Sequence, residues 1–439
     1  MTSSSDQPPP DAEPIPGRRP SDDPFPGSSP ARTDPRARFL QEDLATLWPT
    51  PGQAELTGRR AIRPSDASSY AVVPTSRHPV LLLPTHPPAV AAATLRNYKT
   101  SAGSMSRAKF RALALAARAG ALRFLPNQVL VHDSAGDPDA DLVGHLRKLL
   151  GQEVYIAVYM GAPRANRKPV LQILGPDAQT IAFAKIGTNA LTQRLVRREA
   201  SALSFLATRP MTTVRVPSVL HHGSWHGHEI LVQRAVGRER VRARALPSAI
   251  EQAMVQVAGL GGVSTSNGRD SSYWRQLEQR ISELRPDPQS GGLKSALESL
   301  GPVAASTEIS FGAWHGDWTP WNMLARGDKI EVWDWERFET DVPVGFDALH
   351  LALQREVSRD HRQARSAATA LLESSSRLMA PFGGPRDAAK LVATLYLLDL
   401  GARYLKDGQL QAGAALGNLQ TWLLPVVSDS SQRLRTNGP

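Results

Sequence analysis

An α+β chain of two unequal lobes is predicted by two features of this sequence. Five strand-like runs with one helix set among them fall between residues 150 and 236, and a mainly helical remainder runs from 237 to 439. Ahead of them stand a Pro-rich stretch, residues 1–38, and a small α/β extension, residues 39–149.

Residues 1–38 carry ten prolines and only two bulky apolar side chains, Ile15 and Phe25. Such a stretch cannot bury enough surface to offset its ordering entropy, so it is expected to be disordered, with structure starting near Phe39-Leu40. In the extension, Tyr70–Pro74 and Val80–Pro84 read as strands parted by a Ser-Arg-His-Pro turn. Ala89–Tyr98 and Ser106–Gly120 read as helices, the second capped by Ser104 or Ser106. Gln128–His132 reads as a strand and Asp141–Leu150 as a helix. No chemical signature lies in this part; it is expected to be scaffold or a docking piece for a protein partner.

The small lobe then follows. Val154–Met160, Val170–Leu174 and Thr180–Ile186 are apolar strand-like runs, Leu191–Ala207 a helix, and Ser218–His222 and Glu229–Ala235 two more strands. After Gly237 the pattern is helical to the end, interrupted by one hairpin near 320–335.

Composition narrows the class without settling it. Cysteine is absent, which excludes disulfides, thiolate metal sites and a Cys nucleophile. No apolar run approaches the roughly 18 residues that span a bilayer; the longest candidate, Leu391–Tyr404, is broken by Asp399 and Arg403. The first ten residues lack the basic-then-apolar order of a secretory signal, so a cytoplasmic location is the expectation. The formal charge of +10 raises a nucleic-acid reading, but the cations are mostly Arg interspersed with acids, and no local stripe supports it.

The strongest signal is Trp314-His-Gly-Asp-Trp-Thr-Pro-Trp-Asn-Met-Leu324, a Gly- and Pro-containing loop running into a hairpin that ends Lys329-Ile-Glu-Val-Trp-Asp334. Alternation places Ile330, Val332 and Asp334 on one inward face, where a carboxylate needs a partner such as a metal ion. Phosphoryl transfer depends on positioning and charge neutralisation more than on covalent help. Asp317 would accept or orient the proton of an attacking hydroxyl, while Asn322 and Asp334 would hold Mg²⁺.

His-x-Asp-x-x-x-x-Asn followed by a hydrophobic-Asp-Trp-Glu strand resembles the aminoglycoside phosphotransferase and choline kinase family, protein-kinase-like enzymes that phosphorylate small molecules. The resemblance covers roughly residues 150–439. It implies a bilobal protein-kinase-like fold with a five-stranded first lobe, ATP and Mg²⁺ as cofactors, and a small-molecule hydroxyl as acceptor. It makes Asp317 the catalytic base, Asn322 and Asp334 the Mg²⁺ ligands, and His315 a structural orienter of the loop. Asp347, in Gly345-Phe346-Asp347, would brace that loop or cap a helix. This chain departs from the family in having Thr319 where a His often stands, and in flanking it with Trp318 and Trp321, which either wall the acceptor site or pack the loop.

The first lobe agrees. Ala182-Phe-Ala-Lys185-Ile186 ends an apolar strand with a lysine that resembles the one contacting the α- and β-phosphates. Leu195, Glu199, Ala202 and Leu206 are spaced 4, 3 and 4, so Glu199 shares an apolar helix face. A buried carboxylate is costly unless paired, and Lys185 is its partner by the same resemblance. Leu231-Val-Gln233-Arg-Ala235 matches the inter-lobe hinge, which assigns Gln233 and Ala235 to the nucleotide. In place of a Gly-rich phosphate loop stands Gly161-Ala-Pro-Arg164-Ala-Asn166-Arg167-Lys168, whose basic and amide side chains would cover the triphosphate.

Other readings weigh less. His221, His222, His226 and His228 have spacing that tempts a zinc assignment, but they sit across a hairpin without an acidic fourth ligand. Glu336, Glu339 and Asp341 are the nearest approach to the acidic pocket that an aminoglycoside acceptor calls for, and no dense acidic run accompanies them, so a resistance enzyme is not expected. A catalytically weak nucleotide-binding regulator with a docking extension is the alternative; the intact set of Lys185, Glu199, Asp317, Asn322 and Asp334 favours catalysis.

Overall fold

The computed structural model describes residues 35–50, 53–57, 67–97, 104–132, 139–235, 247–385 and 387–437. Residues 1–34, most of the stretch expected to be disordered, lie outside them, as do residues 236–246 just past the expected hinge. Helix α1 spans Pro35–Leu47 and so begins before the expected onset at Phe39. Leu40, Leu44 and Leu47, one apolar stripe, are buried together with Trp48, which holds the helix to the sheet.

Strands β1 (Ala54–Thr57), β2 (Ala67–Thr75) and β3 (His78–Pro84) are followed by helices α2 (Pro88–Asn97) and α3 (Ser104–Arg118), strand β4 (Gln128–His132) and helix α4 (Leu142–Leu150). Asp141 caps α4 by accepting from Gly144 N, and Gly151 ends it in the left-handed conformation. The small lobe continues with β5 (Tyr155–Tyr159), β6 (Val170–Leu174), β7 (Thr180–Gly187), α5 (Ala190–Ala207), β8 (Val214–Arg215), β9 (Val219–Trp225) and β10 (His228–Arg234).

Long-range register joins the extension to the lobe. Leu81 and Leu82 of β3 pair with Tyr159 and Val158 of β5, so a single antiparallel sheet runs in the order β1-β4-β2-β3-β5-β6-β7-β10-β9. The five strands expected of the small lobe are present, and four from the extension lengthen the sheet to nine. Successive side chains alternate between its faces. Leu82, Val158, Leu171, Ala184 and Val232 face one way, in a core shared with α1 and α4. Leu81, Leu83 and Ala157 face the other, under α2 and α3. The pairs Val170↔Lys185 and Lys185↔Leu231 place Lys185 on this second face, which farther along carries α5.

The helical lobe comprises α6 (Pro247–Ala258), β11 (Ser264–Asn267), α7 (Ser272–Ser282), α8 (Pro288–Ser306), β12 (Glu308–Trp314), β13 (Met323–Arg326), β14 (Lys329–Val332), β15 (Glu339–Pro343), α9 (Phe346–Val357), α10 (Ala364–Glu373), α11 (Ser375–Met379), α12 (Ala389–Asp407) and α13 (Leu423–Asn437). The expected hairpin is β13–β14, but it gains a parallel partner in β8. A second small sheet, β11-β12-β15, is an addition to the expectation. In β12 the exposed Glu308 and half-buried Ser310 alternate with buried Ile309 and Phe311, before the strand ends in a fully buried Gly312-Ala313-Trp314. Helix α12 holds the apolar run Leu391–Tyr404 and is buried over most of its circumference within the lobe's core. Among the described residues no helix is long and apolar enough to cross a membrane.

Candidate active site

Three elements distant in sequence converge on one ammonium. The Nζ of Lys185, from β7, lies 2.7 and 2.6 Å from the two carboxylate oxygens of Glu199 on α5, and 2.5 Å from Oδ1 of Asp334 beyond β14. Leu195, Glu199, Ala202 and Leu206 are all buried, as the helix spacing predicts. Gln233 adds a third hydrogen bond to Glu199, its Nε2 standing 2.8 Å from Oε1. Burial pushes the Glu199 pKa up even against the attraction of Lys185. Burial also opposes the Lys185 charge, but Asp334 and Glu199 outweigh it and raise the lysine's pKa.

Asp334 differs from its expected setting. Strand β14 stops at Val332, and Asp334 takes a left-handed backbone, φ 73°, that opens a short turn over Trp335–Arg337. Its carboxylate leaves the strand alternation and points into the cleft with 29% of the side chain exposed. Such strain in a non-glycine residue persists only where the surroundings over-determine it, and it clusters at functional sites. Burial alone would raise the Asp334 pKa, yet Lys185 and Lys168 hold it well below the usual carboxylate range.

The loop that carries Asp317 is gripped from two sides. Gly316 has φ +84°, and a Cβ there would fall 2.3 Å from the Arg337 carbonyl oxygen, which accounts for the glycine between His315 and Asp317. Asp347, near the start of α9, accepts from the backbone N–H groups of His315 (2.7 Å) and Gly316 (3.1 Å), so it braces the loop; Gly345 is the cap of the helix. Burial pushes the Asp347 pKa up to about 7. The His315 Nδ1 accepts from Asp317 N at 3.1 Å and its Nε2 donates to the Trp333 carbonyl at 3.1 Å, which ties the loop to the hairpin. Burial lowers its pKa to about 4, so the ring is neutral.

Asp317 lies at the cleft with a third of its side chain exposed. Asn322 donates from Nδ2 to Asp317 Oδ2 at 3.0 Å, and so its Oδ1 is left as the potential ligand atom. Trp333 N donates to Asn322 O at 3.1 Å, extending the hairpin ladder by one bond and bringing Asn322 and Asp334 to the same end of it. Carboxylate oxygens of Glu199, Asp334 and Glu336 lie within 4.8 Å of one another. Trp318 is buried with its indole N–H on the Met323 sulfur, so it packs the loop, whereas Trp321 is 37% exposed.

Other assignments land differently. The N–H of Ala235 donates to Ile181 O at 2.9 Å and is not available to an adenine. Gln233 lies within the sheet between β7 and β9, and its side chain serves Glu199. In the loop before β6, Arg167 pairs with Asp43 of α1, and Lys168 pairs with Glu336. Asn166 donates to Glu336 at 3.2 Å. Of the acids considered for an acceptor pocket, Glu336 is thus engaged, Glu339 pairs with Arg198 and Arg280, and Asp341 accepts from Ser272. His222 pairs with Glu229, and His226 Nε2 lies 3.3 Å from the Asp139 carbonyl oxygen.

Two side chains at the site went unnoticed in the sequence. His350 Nε2 lies 3.0 Å from Asp317 Oδ1, and Arg403 donates to the Gly316 carbonyl at 2.6 Å. His350 follows Asp347 by one helical turn on the buried side of α9, and that spacing was the available signal.

Similarity to solved structures is low. A thermostable mutant of aminoglycoside phosphotransferase APH(4)-Ia, in ternary complex with ADP and hygromycin B, is 14% identical with TM-score 0.42, the match covering 68% of this chain and 99% of that one. A protein from Haemophilus somnus described as a fructosamine-3-kinase is 16% identical with TM-score 0.40, over 66% and 95%. Aminoglycoside phosphotransferase APH(2")-IIa, in complex with streptomycin and ATP, is 15% identical with TM-score 0.40, over 64% and 95%. No curated protein sequence matches the chain. The family model for the phosphotransferase enzyme family matches residues 176–395, half of the chain's 439 and a span that holds Lys185, Glu199, the loop of Asp317, Asp334 and Asp347; the chain belongs to that family.

Proposed function

We propose that this phosphotransferase moves the γ-phosphoryl group of ATP to a hydroxyl of a small molecule, such as a sugar, an amino alcohol, an aminoglycoside-like compound or another metabolite, with Asp317 as the base. The observation that carries the reading is the meeting of Lys185, Glu199 and Asp334 at hydrogen-bond distance from three separate elements, 149 residues apart at the widest. A structural ion pair alone would not need a strained backbone at Asp334 or a carboxylate left partly open to the cleft.

Asp317 takes the proton of the acceptor hydroxyl as the hydroxyl oxygen bonds to the γ-phosphorus. The bond from that phosphorus to the β,γ-bridging oxygen breaks, and ADP leaves. Glu199 and Gln233 hold the Lys185 ammonium where it can meet phosphate oxygens. The hard oxygen donors of Asp334 and Asn322, with Glu336 nearby, suit Mg²⁺. When bound, the ion neutralises phosphate charge. Asp347 and His315 keep the loop rigid, so that Asp317 needs no reorganisation as the proton moves.

The test is purified protein with γ-labelled ATP, Mg²⁺ and a pooled panel of hydroxyl metabolites, compared with Asp317→Asn. Label transfer that the substitution abolishes supports the reading. Mg²⁺-dependent ATP binding without transfer to any acceptor, unaltered by Asp317→Asn, would make the chain a nucleotide-binding regulator.

A further inference from the structure

A hydrogen-bonded line runs from the core of the helical lobe into the cleft. Tyr396 on α12 and His350 on α9 are both buried, and the tyrosine hydroxyl lies 2.9 Å from His350 Nδ1. The opposite ring nitrogen, Nε2, lies 3.0 Å from Asp317 Oδ1. We propose that His350 is a positioning residue for the catalytic base: it holds the Asp317 carboxylate in the orientation that receives the acceptor's proton, and Tyr396 fixes the imidazole tautomer that makes this possible. The proposal rests on the reading of Asp317 as base.

The protons can be placed from the partners alone. An ionised carboxylate only accepts, so Nε2 must carry the hydrogen that faces Asp317 Oδ1. Nδ1 is then a lone pair, and the single phenolic proton of Tyr396 points to it. Reversing either assignment sets two lone pairs against each other at about 3 Å in a dry interior, a costly arrangement. Burial also lowers the His350 pKa, which agrees with a neutral ring.

His350 does something that Asn322 cannot. Asn322 holds the other oxygen of Asp317, but it also belongs to the hairpin end that would bind a cation, so its amide serves two neighbours. His350 contacts no proposed metal ligand and sits on a helix whose Asp347, three residues earlier, already grips the loop backbone. One helix therefore fixes both the main chain of the loop and the side chain of its base. Thr319, where the family often has a histidine, is buried and its hydroxyl lacks a hydrogen-bond partner among the described residues, and the loop's own His315 is bonded to the Asp317 backbone and to Trp333, not to the Asp317 carboxylate.

The experiment follows Mg²⁺-dependent hydrolysis of ATP, with water as the acceptor, in the full chain and in Asp317→Asn, His350→Leu, His350→Gln and Tyr396→Phe. His350→Leu is expected to lower kcat about 100-fold, the lower end of what a positioned base contributes, with the KM for ATP within about twofold. His350→Gln, which places an N–H at similar reach, should restore most of that loss. Nitrogen NMR of the wild type should show His350 as the Nε2–H tautomer, and Tyr396→Phe should show a mixture with a kcat about threefold lower. An unchanged kcat in His350→Leu, or a wild-type Nδ1–H tautomer, overturns the proposal. If His350→Leu does not fold, the glutamine variant and the tautomer decide: a glutamine variant without hydrolysis, beside a ring of the wrong tautomer, overturns it. Hydrolysis that survives Asp317→Asn removes the base assignment itself; hydrolysis lost there but intact in His350→Leu removes only the role of His350.

Discussion

Lys168 and Glu336 are ion-paired across the cleft between the lobes, both side chains buried and 168 positions apart in the chain. Together with the Asn166 bond to Glu336 and the Ala165 N–H on Gln409 Oε1 at 3.3 Å, the pair ties the loop before β6 to the helical lobe.

Removing one partner of a buried pair leaves an uncompensated charge. Lys168→Met is therefore expected to destabilise the protein by about 3–5 kcal/mol, read as a lower denaturation midpoint in urea. The double variant with Glu336→Gln should recover much of that loss, and the cycle of four proteins isolates the coupling. A double variant that loses the sum of the two single losses would show that the pair contributes nothing.

Asp334→Asn separates chemistry from fold. Asparagine tolerates the left-handed backbone, so the turn after β14 should survive. The charge that faces Lys185, and would face the proposed cation, is lost, and Mg²⁺-dependent turnover should fall by more than about 100-fold. A circular dichroism spectrum close to that of the wild type, beside absent ADP production, is the expected result. Near-normal turnover would remove Asp334 as a metal ligand.

Acid should weaken the helical lobe through His315. Its folded pKa is about 4, below the ordinary imidazole value of 6.5. Between those two values the unfolded chain binds the extra proton at His315 and the folded chain does not, so the contribution of this ring to stability is complete above 6.5 and declines as the pH falls toward 4, while Asp347, with its raised pKa, works in the opposite sense. Melting temperatures measured across that window should drop more steeply for the wild type than for His315→Asn. Parallel slopes would mean that the ring is not the acid-sensitive group.

Helix α1 of the extension meets the loop before β6 at Arg167. Asp43 of α1 pairs with Arg167, one residue before Lys168, and the Arg167 guanidinium lies over the Phe39 ring at 4.2 Å. Asp43→Asn should loosen the loop and raise the KM for ATP about fivefold, the factor that ~1 kcal/mol corresponds to, with a smaller effect on kcat. A KM equal to that of the wild type would confine α1 to a packing role.

Much of this site could be read along the chain because its parts carry local signatures. Glu199 announced itself by standing on an apolar helix stripe, and Asp317, Asn322 and Asp334 by their spacing around a hairpin. What stayed hidden depends on register between distant segments. Nothing near Leu81 tells that it pairs with Tyr159, and nothing near Lys168 tells that Glu336 is its partner. Alternation also misled at Asp334, where the chain leaves the strand with positive φ, and the resemblance to a hinge at Ala235 could not foresee that its N–H bonds to Ile181. His350 lay in plain view one turn beyond Asp347, but a lone histidine in an apolar helix carries no chemistry until its neighbours in space are known.

The pairing of β3 with β5 has a consequence for how the molecule can be divided. A fragment starting at residue 150 would keep every side chain proposed for chemistry, yet it would leave one flank of β5 with bare N–H and C=O groups beside freshly uncovered leucine-contacting surface. Unsheltered edges of that kind recruit other chains. Cutting there is expected to yield clumped material instead of a minimal catalyst, and the upstream strands act as a permanent selvedge against self-association.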